Sequence, residues 1–76
     1  MSNKYEVKAH FGTLGVKKRK GELNELQLRK VSWFGSDPMW DIREWTPSDT
    51  PGKGITMTDE MMKTLKSILD TIEFAE

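Results

Sequence analysis

A chain of 76 residues can build one hydrophobic core but not two, so we expect a single domain over residues 1–76. It has no cysteine and only one histidine, which excludes disulfides and thiolate metal sites and predicts no cofactor. The formal net charge is zero, but residues 1–57 carry ten basic and seven acidic side chains, while residues 58–76 carry two and five. If the last segment forms its own layer, the rest of the protein presents a basic layer that attracts anions.

The apolar residues are spread too thinly for a membrane protein. No apolar run approaches the roughly 20 residues that cross a bilayer. The start, Met-Ser-Asn-Lys-Tyr-Glu, also lacks the apolar stretch of a signal peptide. We therefore expect a soluble, cytoplasmic protein.

The first element is a strand from Lys4 to Phe11, in which apolar and polar residues alternate with the period of a half-buried strand. The predicted inward row is Tyr5, Val7, Ala9 and Phe11. Two glycines within Gly12–Val16 indicate a bend or bulge, and the run Lys17–Gly21 predicts a basic turn closed by glycine.

A second strand is predicted from about Leu23 to Phe34. Leu26 and Leu28 share one parity, whereas Val31 and Trp33 share the other. A continuous strand therefore needs a bulge near Arg29 and Lys30 to keep its apolar side inward.

The segment Gly35–Pro38 is rich in turn formers and predicts a hairpin that leads into a third strand, Met39–Thr46. Alternation along this strand divides its large side chains between two faces. Trp40 lies on the side of Ile42, which predicts a core position, and the opposite face carries Asp41, Arg43 and Trp45.

A loop over Pro47–Gly54, a short fourth strand over Ile55–Met57 and a helix that begins after Thr58 complete the chain. The threonine hydroxyl can cap the helix, and the apolar residues recur at helical spacing: Met61, Met62, Leu65, Ile68, Leu69 and Ile72. The fold class is thus α+β, a four-stranded antiparallel sheet with one C-terminal helix on one face.

Two short motifs in this order resemble the positive cofactor four family of transcriptional coactivators, and most closely its short bacterial members. They are Asp41-Ile42-Arg43 and Lys53-Gly54-Ile55, with a hairpin before them and a capped helix after them. The similar stretch spans about residues 31–69. The resemblance implies a curved sheet, a homodimer and binding of single-stranded DNA with little sequence preference.

The resemblance also implies which residues contact the nucleic acid. They are a strand arginine, an aromatic residue shortly after it, an aromatic residue with a basic neighbour before the hairpin, and the lysine of the second motif. In this chain these positions are Arg43, Trp45, Trp33 or Phe34 with Lys30, and Lys53.

Each of these residues has a simpler alternative role. Arg43 can form a cross-strand salt bridge, and the ring of Trp45 can fold over the edge of the core instead of stacking on a base. The basic run can be a solvated turn or a mobile patch that attracts nucleic acid. We assign the run to the predicted binding surface on charge alone: Lys17, Lys18, Arg19 and Lys20.

The sequence contains no constellation of a nucleophile with a base, so we predict a binding protein and not an enzyme. The predicted function is binding of single-stranded DNA by a dimeric, nucleoid-associated protein in transcription or DNA maintenance. An interaction module for a protein partner and an RNA-binding protein with the same surface are the alternatives.

Overall fold

The computed structural model describes residues 4–75. Its elements, in chain order, are β1 (Tyr5–Arg19), β2 (Glu22–Trp33), β3 (Met39–Trp45), β4 (Pro51–Met57) and α1 (Asp59–Asp70). The strands form one sheet in the order β1-β2-β3-β4, and each strand is antiparallel to the next. The predicted α+β fold of four antiparallel strands and one C-terminal helix is confirmed.

A long hairpin of β1 and β2 dominates the sheet. The turn consists of Lys20 and Gly21 alone, with φ angles of 49° and 84°. Two consecutive positive φ angles match the twist of a tight two-residue hairpin, and glycine adopts such a conformation without strain. The prediction of a basic turn over residues 17–21 is therefore wrong in part, because residues 17–19 form the end of strand β1.

The bulges between β1 and β2 lie in β1 and not in β2. Register shifts occur between Val7 and Ala9, between His10 and Gly12, and between Thr13 and Gly15. The predicted bend near the two glycines is confirmed, whereas the bulge predicted near Arg29 and Lys30 is wrong, because β2 pairs with β3 without a shift.

The bulges in β1 also change which side chains share a face. Tyr5 packs against Trp33, while Phe11 stacks on Trp40 from the other side of the sheet. The single inward row predicted for residues 5–11 is therefore wrong, because each extra residue in a bulge alters the alternation of the strand.

The sheet has two unlike faces. The helix face carries Trp40, whose indole donates a hydrogen bond to Asp59 at the start of α1. The open face, on the other side, carries Asp41, Arg43 and Trp45, as the alternation of β3 predicted.

The open face contains the most deeply buried side chains of residues 4–75, Val31, Asp41 and Trp45. The rings of Tyr5 and Trp45 lie 5.9 Å apart, although their partners on β2 are eight positions apart, about 26 Å in an extended strand. The sheet therefore bends toward its open face.

The helix begins as predicted. The Thr58 hydroxyl accepts a hydrogen bond from the amide of Met61 at 3.1 Å, and Asp59 and Glu60 occupy the first turn, where acidic residues favour the helix dipole. None of the twelve residues of α1 is buried, so the helix lies only loosely on the sheet. Among residues 4–75, no helix is long and apolar enough to span a bilayer.

Candidate nucleic-acid interface

Arg43 is fixed on the open face by three contacts. Its Nε lies 3.0 Å from a carboxylate oxygen of Asp41, its Nη1 donates to the carbonyl of Gly52 at 2.8 Å, and its guanidinium lies 4.8 Å from the Trp33 ring. Asp41 is fully buried and also accepts a hydrogen bond from the Trp33 indole at 3.3 Å. Arg43 therefore forms a salt bridge, but with Asp41 of its own strand and not across strands as the alternative predicted, and its side chain remains 17% exposed at the edge of this network.

The ring of Trp45 belongs to the core. Only 2% of the residue is exposed, because the Arg29 guanidinium covers the ring at 3.8 Å and Tyr5 packs beside it. The indole N–H is buried and has no hydrogen-bond partner among residues 4–75. Trp45 thus follows the core alternative in the single chain, where Arg29 and Tyr5 cover its ring.

Arg29 is the residue on this face that sequence reasoning missed. Its Nε donates to Gln27 at 2.6 Å, and its Nη2 donates to Asp49 at 2.9 Å. Arg29 has the same parity as Val31 and Trp33, and this register alone would have placed it on the open face. The assumed bulge in β2 concealed that signal.

The two aromatic residues before the hairpin have different environments. Trp33 is half-buried beside Tyr5, with ring centroids 5.4 Å apart. Phe34 is 77% exposed and has a φ of 54°, next to Gly35 at 79°. Of the two, Phe34 is therefore the ring that solvent and ligands can reach.

Lys30 does not join Arg43, because the two side chains lie on opposite faces. Its ammonium group lies 4.9 Å from the centroid of the Trp40 ring and 3.7 Å from Asp59, at the start of α1. A strand of nucleic acid on the open face would not reach it, so the predicted grouping of Lys30 with the stacking aromatic is wrong.

Arg19 is also engaged on the helix face. Its guanidinium donates two hydrogen bonds to the Glu44 carboxylate, at 3.1 and 2.7 Å. These bonds lower the pKa of Glu44 to about 2 and raise the pKa of Arg19, and Asn24 adds a further hydrogen bond to the same carboxylate. The other predicted cations are exposed, three in the hairpin and one on β4: Lys17, Lys18, Lys20 and Lys53.

Two depressions flank the sheet. The helix groove, between α1 and the helix face, has a volume of about 610 Å³ and an apolar floor formed by Trp40, Met62, Leu65 and Leu69. A smaller polar cleft of about 240 Å³ lies between β2 and the loop Thr46–Thr50, beside Trp45. Across residues 4–75 no three histidine, cysteine or acidic side chains lie close enough to hold a metal ion.

Comparison with known proteins places the chain in a family. No family model matches it. It is 35% identical over 69 residues to an uncharacterized protein of Treponema pallidum (strain Nichols), an alignment that covers 90% of this chain and 78% of that protein. The chain therefore belongs to the same protein family as this Treponema pallidum protein.

Proposed function

We propose that the protein binds single-stranded nucleic acid, with DNA as the main ligand, on the open face of its sheet. The observation that carries this proposal is the stacked cluster, in which two guanidinium groups lie over two tryptophan rings with a tyrosine between the rings. Its members are Tyr5, Arg29, Trp33, Arg43 and Trp45.

Binding of single strands without sequence preference requires cations near the phosphates and flat rings for the bases. The exposed ring of Phe34 follows directly after Trp33, and the partly exposed Arg43 packs on that tryptophan. Lys53 adds an exposed cation on the neighbouring strand β4. Phe34 and Trp33 thus supply rings at the end of β2, and Arg43 and Lys53 supply cations on β3 and β4.

The resemblance to the positive cofactor four family supports DNA as the ligand. The two motifs that carry it lie side by side in the fold, because Arg43 pairs with Gly54 across β3 and β4. On this basis we propose a cytoplasmic, nucleoid-associated protein that holds melted strands in transcription or DNA maintenance.

A titration with a short thymidine oligomer tests the proposal. Tryptophan fluorescence should change on binding, because Trp33 lies beside the exposed ring and beneath Arg43. The affinity should fall steeply as salt is added, since phosphate contacts release counterions. Absence of salt-dependent binding would contradict the proposal and would favour the interaction module.

Phe34→Ala is the sharpest variant, because removal of a side chain that is 77% exposed costs the fold little. Loss of one stacking ring should weaken binding roughly tenfold, from about 1 to 3 kcal/mol per stacked base. Phe74→Ala is the matched control, since Phe74 is 75% exposed but lies after the helix. Equal affinities of the two variants would remove Phe34 from the interface.

Charge reversal at Arg43 is a less suitable test of the interface than Phe34→Ala. Asp41 is fully buried, and removal of its cationic partner leaves an uncompensated buried charge that destabilises the fold.

Competition between thymidine and matched uridine oligomers then compares the sugars, and a preference for the RNA form would favour the RNA-binding alternative.

We further propose that a second copy of the chain covers the helix groove. The apolar floor of the groove is open in one chain, and several apolar side chains of α1 are about half exposed, as Leu69 is at 47%. Apolar surface of this kind is typical of an interface. The rim carries Asp59 at one end of α1 and Lys63 and Lys66 further along, so two antiparallel helices would bring opposite charges together.

A further inference from the structure

We propose that Arg29 is a phosphate-binding residue of the open face. In the free protein, the Asp49 carboxylate pairs with the Arg29 guanidinium in the place that the phosphate would take. This inference rests on the proposed function and adds to it a site that the free protein keeps closed. It identifies the ligand group as a phosphodiester of the bound strand.

The guanidinium of Arg29 is oriented before any ligand arrives. Its Nε is held by Gln27, which itself donates to Glu25 at 2.6 Å, and its plane lies 3.8 Å from the centroid of the Trp45 ring. These contacts leave the Nη side for an anion, and Asp49 binds there at 2.9 Å. A carboxylate and a phosphate use the same donors of an arginine, so one can replace the other.

Asp49 is placed where an incoming phosphate can displace it. The Arg29 side chain is only 9% exposed, whereas the Asp49 side chain that covers it is 68% exposed. The ion pair is therefore in contact with water on the side of Asp49. A single exposed carboxylate separates the buried guanidinium from solvent.

The loop that carries Asp49 has few polar attachments to the sheet. It is closed on itself by two backbone hydrogen bonds, from Thr46 to Thr50 at 3.0 Å and from Asp49 to Thr46 at 2.8 Å. Besides the strands at its ends, it is attached to the sheet by the bond to Arg29 and by a 3.5 Å hydrogen bond from the Tyr5 hydroxyl to the Asp49 carbonyl. Asp49 also has a φ of 63°, a left-handed conformation that aspartate and asparagine adopt more readily than most other residues with a side chain.

Movement of this loop would open the polar cleft beside Trp45. The buried ring has an indole N–H without a partner, which is an unusual state for a buried donor and one that a ligand acceptor would satisfy. A phosphate at Arg29 would therefore place the adjoining base against Tyr5 or Trp45, and both the cation and the ring would act on one nucleotide.

Asp49→Asn tests the inference, because it removes the anion while asparagine keeps the size and tolerates a positive φ. We expect this variant to bind the thymidine oligomer several-fold more tightly than the wild type. Asp37→Asn is the matched control: it removes one exposed carboxylate from the turn after β2, away from Arg29. It should change the affinity much less.

A second measurement needs no nucleic acid. Acrylamide should quench tryptophan fluorescence more strongly in Asp49→Asn than in Asp37→Asn, because Asp49 no longer holds the Arg29 guanidinium that covers Trp45. If the wild type binds the oligomer but the two variants match each other in affinity and quenching, the inference is wrong and the proposed function stands. If no form binds the oligomer, the proposed function fails and the phosphate site fails with it. Binding by Asp49→Asn alone would support the inference.

Discussion

Gly54 lies where β3 and β4 approach most closely. A Cβ atom at this position would lie 2.5 Å from the carbonyl oxygen of Ile42 and 2.6 Å from the Cα of Arg43. Both are backbone atoms, so a methyl group can be accommodated only if the strands separate. We expect Gly54→Ala to destabilise the protein by about 1 to 3 kcal/mol, as overpacking generally does.

Gly15→Ala is the control for this substitution, because a Cβ atom at Gly15 meets nothing within 4 Å. Urea unfolding of both variants at one protein concentration measures the difference. A Gly54→Ala midpoint equal to that of Gly15→Ala would show that β4 is not held against β3 as described.

Individual residues also show what sequence could predict on β3. Alternation placed Trp40 and Trp45 on opposite faces correctly, because the strand has no bulge where it pairs with β2. Alternation could not predict that Trp45 is buried. The ring is covered by Arg29 and Tyr5, and these side chains reach Trp45 only when the sheet bends. Burial at this site depends on the tertiary structure and not on the local pattern.

At the scale of elements, the end of the β1–β2 hairpin is tied to β3 by a single ion pair. Residues 17–19 and 22–24 extend past the last paired residue of β3, and the two hydrogen bonds from Arg19 to Glu44 connect them back to the sheet. Glu44 itself is buried, so the cost of burying its charged carboxylate is offset by these bonds and by the hydrogen bond from Asn24.

This connection should make stability depend on pH. The pKa of Glu44 falls from 4.5 to about 2 on folding, chiefly through the hydrogen bond from Arg19. A depressed pKa stabilises the fold above pH 4.5, and that contribution is lost as the pH falls from about 4.5 to 2. Urea midpoints measured across this range should decline in the wild type and decline less in Glu44→Gln.

Some of the decline should persist in Glu44→Gln, because hydrogen bonds from Gln27 and Thr13 lower the pKa of Glu25 as well. Arg19→Met removes the guanidinium that depresses the pKa of Glu44, so it should flatten the pH dependence in the same way. An undiminished decline in both variants would exclude the ion pair as its cause.

The order of the elements was accessible from sequence, while the details of β1 were not. Period-two alternation, the turn at Gly35–Pro38 and the capped helix each produced a local signal of the correct type. Glycines signalled the two bulges near Gly12 and Gly15, but the bulge between Val7 and Ala9 produced no signal, because an extra residue there is recognised only from the register with the partner strand. The basic run over residues 17–20 also could not be assigned from sequence. Its composition is typical of a turn, but pairing with β2 extends strand β1 to Arg19.

At the scale of the whole molecule, the two faces of the sheet differ in what they bury. The open face covers its charged groups and Trp45 with its own side chains, whereas the helix face leaves an apolar groove under a helix with no buried residue. One chain therefore completes the first face but not the second. This difference is what favours a second copy at the helix groove.

Leu69→Lys tests that arrangement, because Leu69 lies on the floor of the helix groove but is 47% exposed in one chain. A lysine there costs the isolated chain little and places an unpaired charge inside a dimer interface. By helical spacing Ser67 lies on the far side of α1, so Ser67→Lys adds the same charge outside the groove. By light scattering, we expect the wild type and Ser67→Lys to have twice the 8.8 kDa mass of one chain, and Leu69→Lys to have that of a single chain. A wild type of single-chain mass at every concentration would contradict the proposal that a second copy covers the groove.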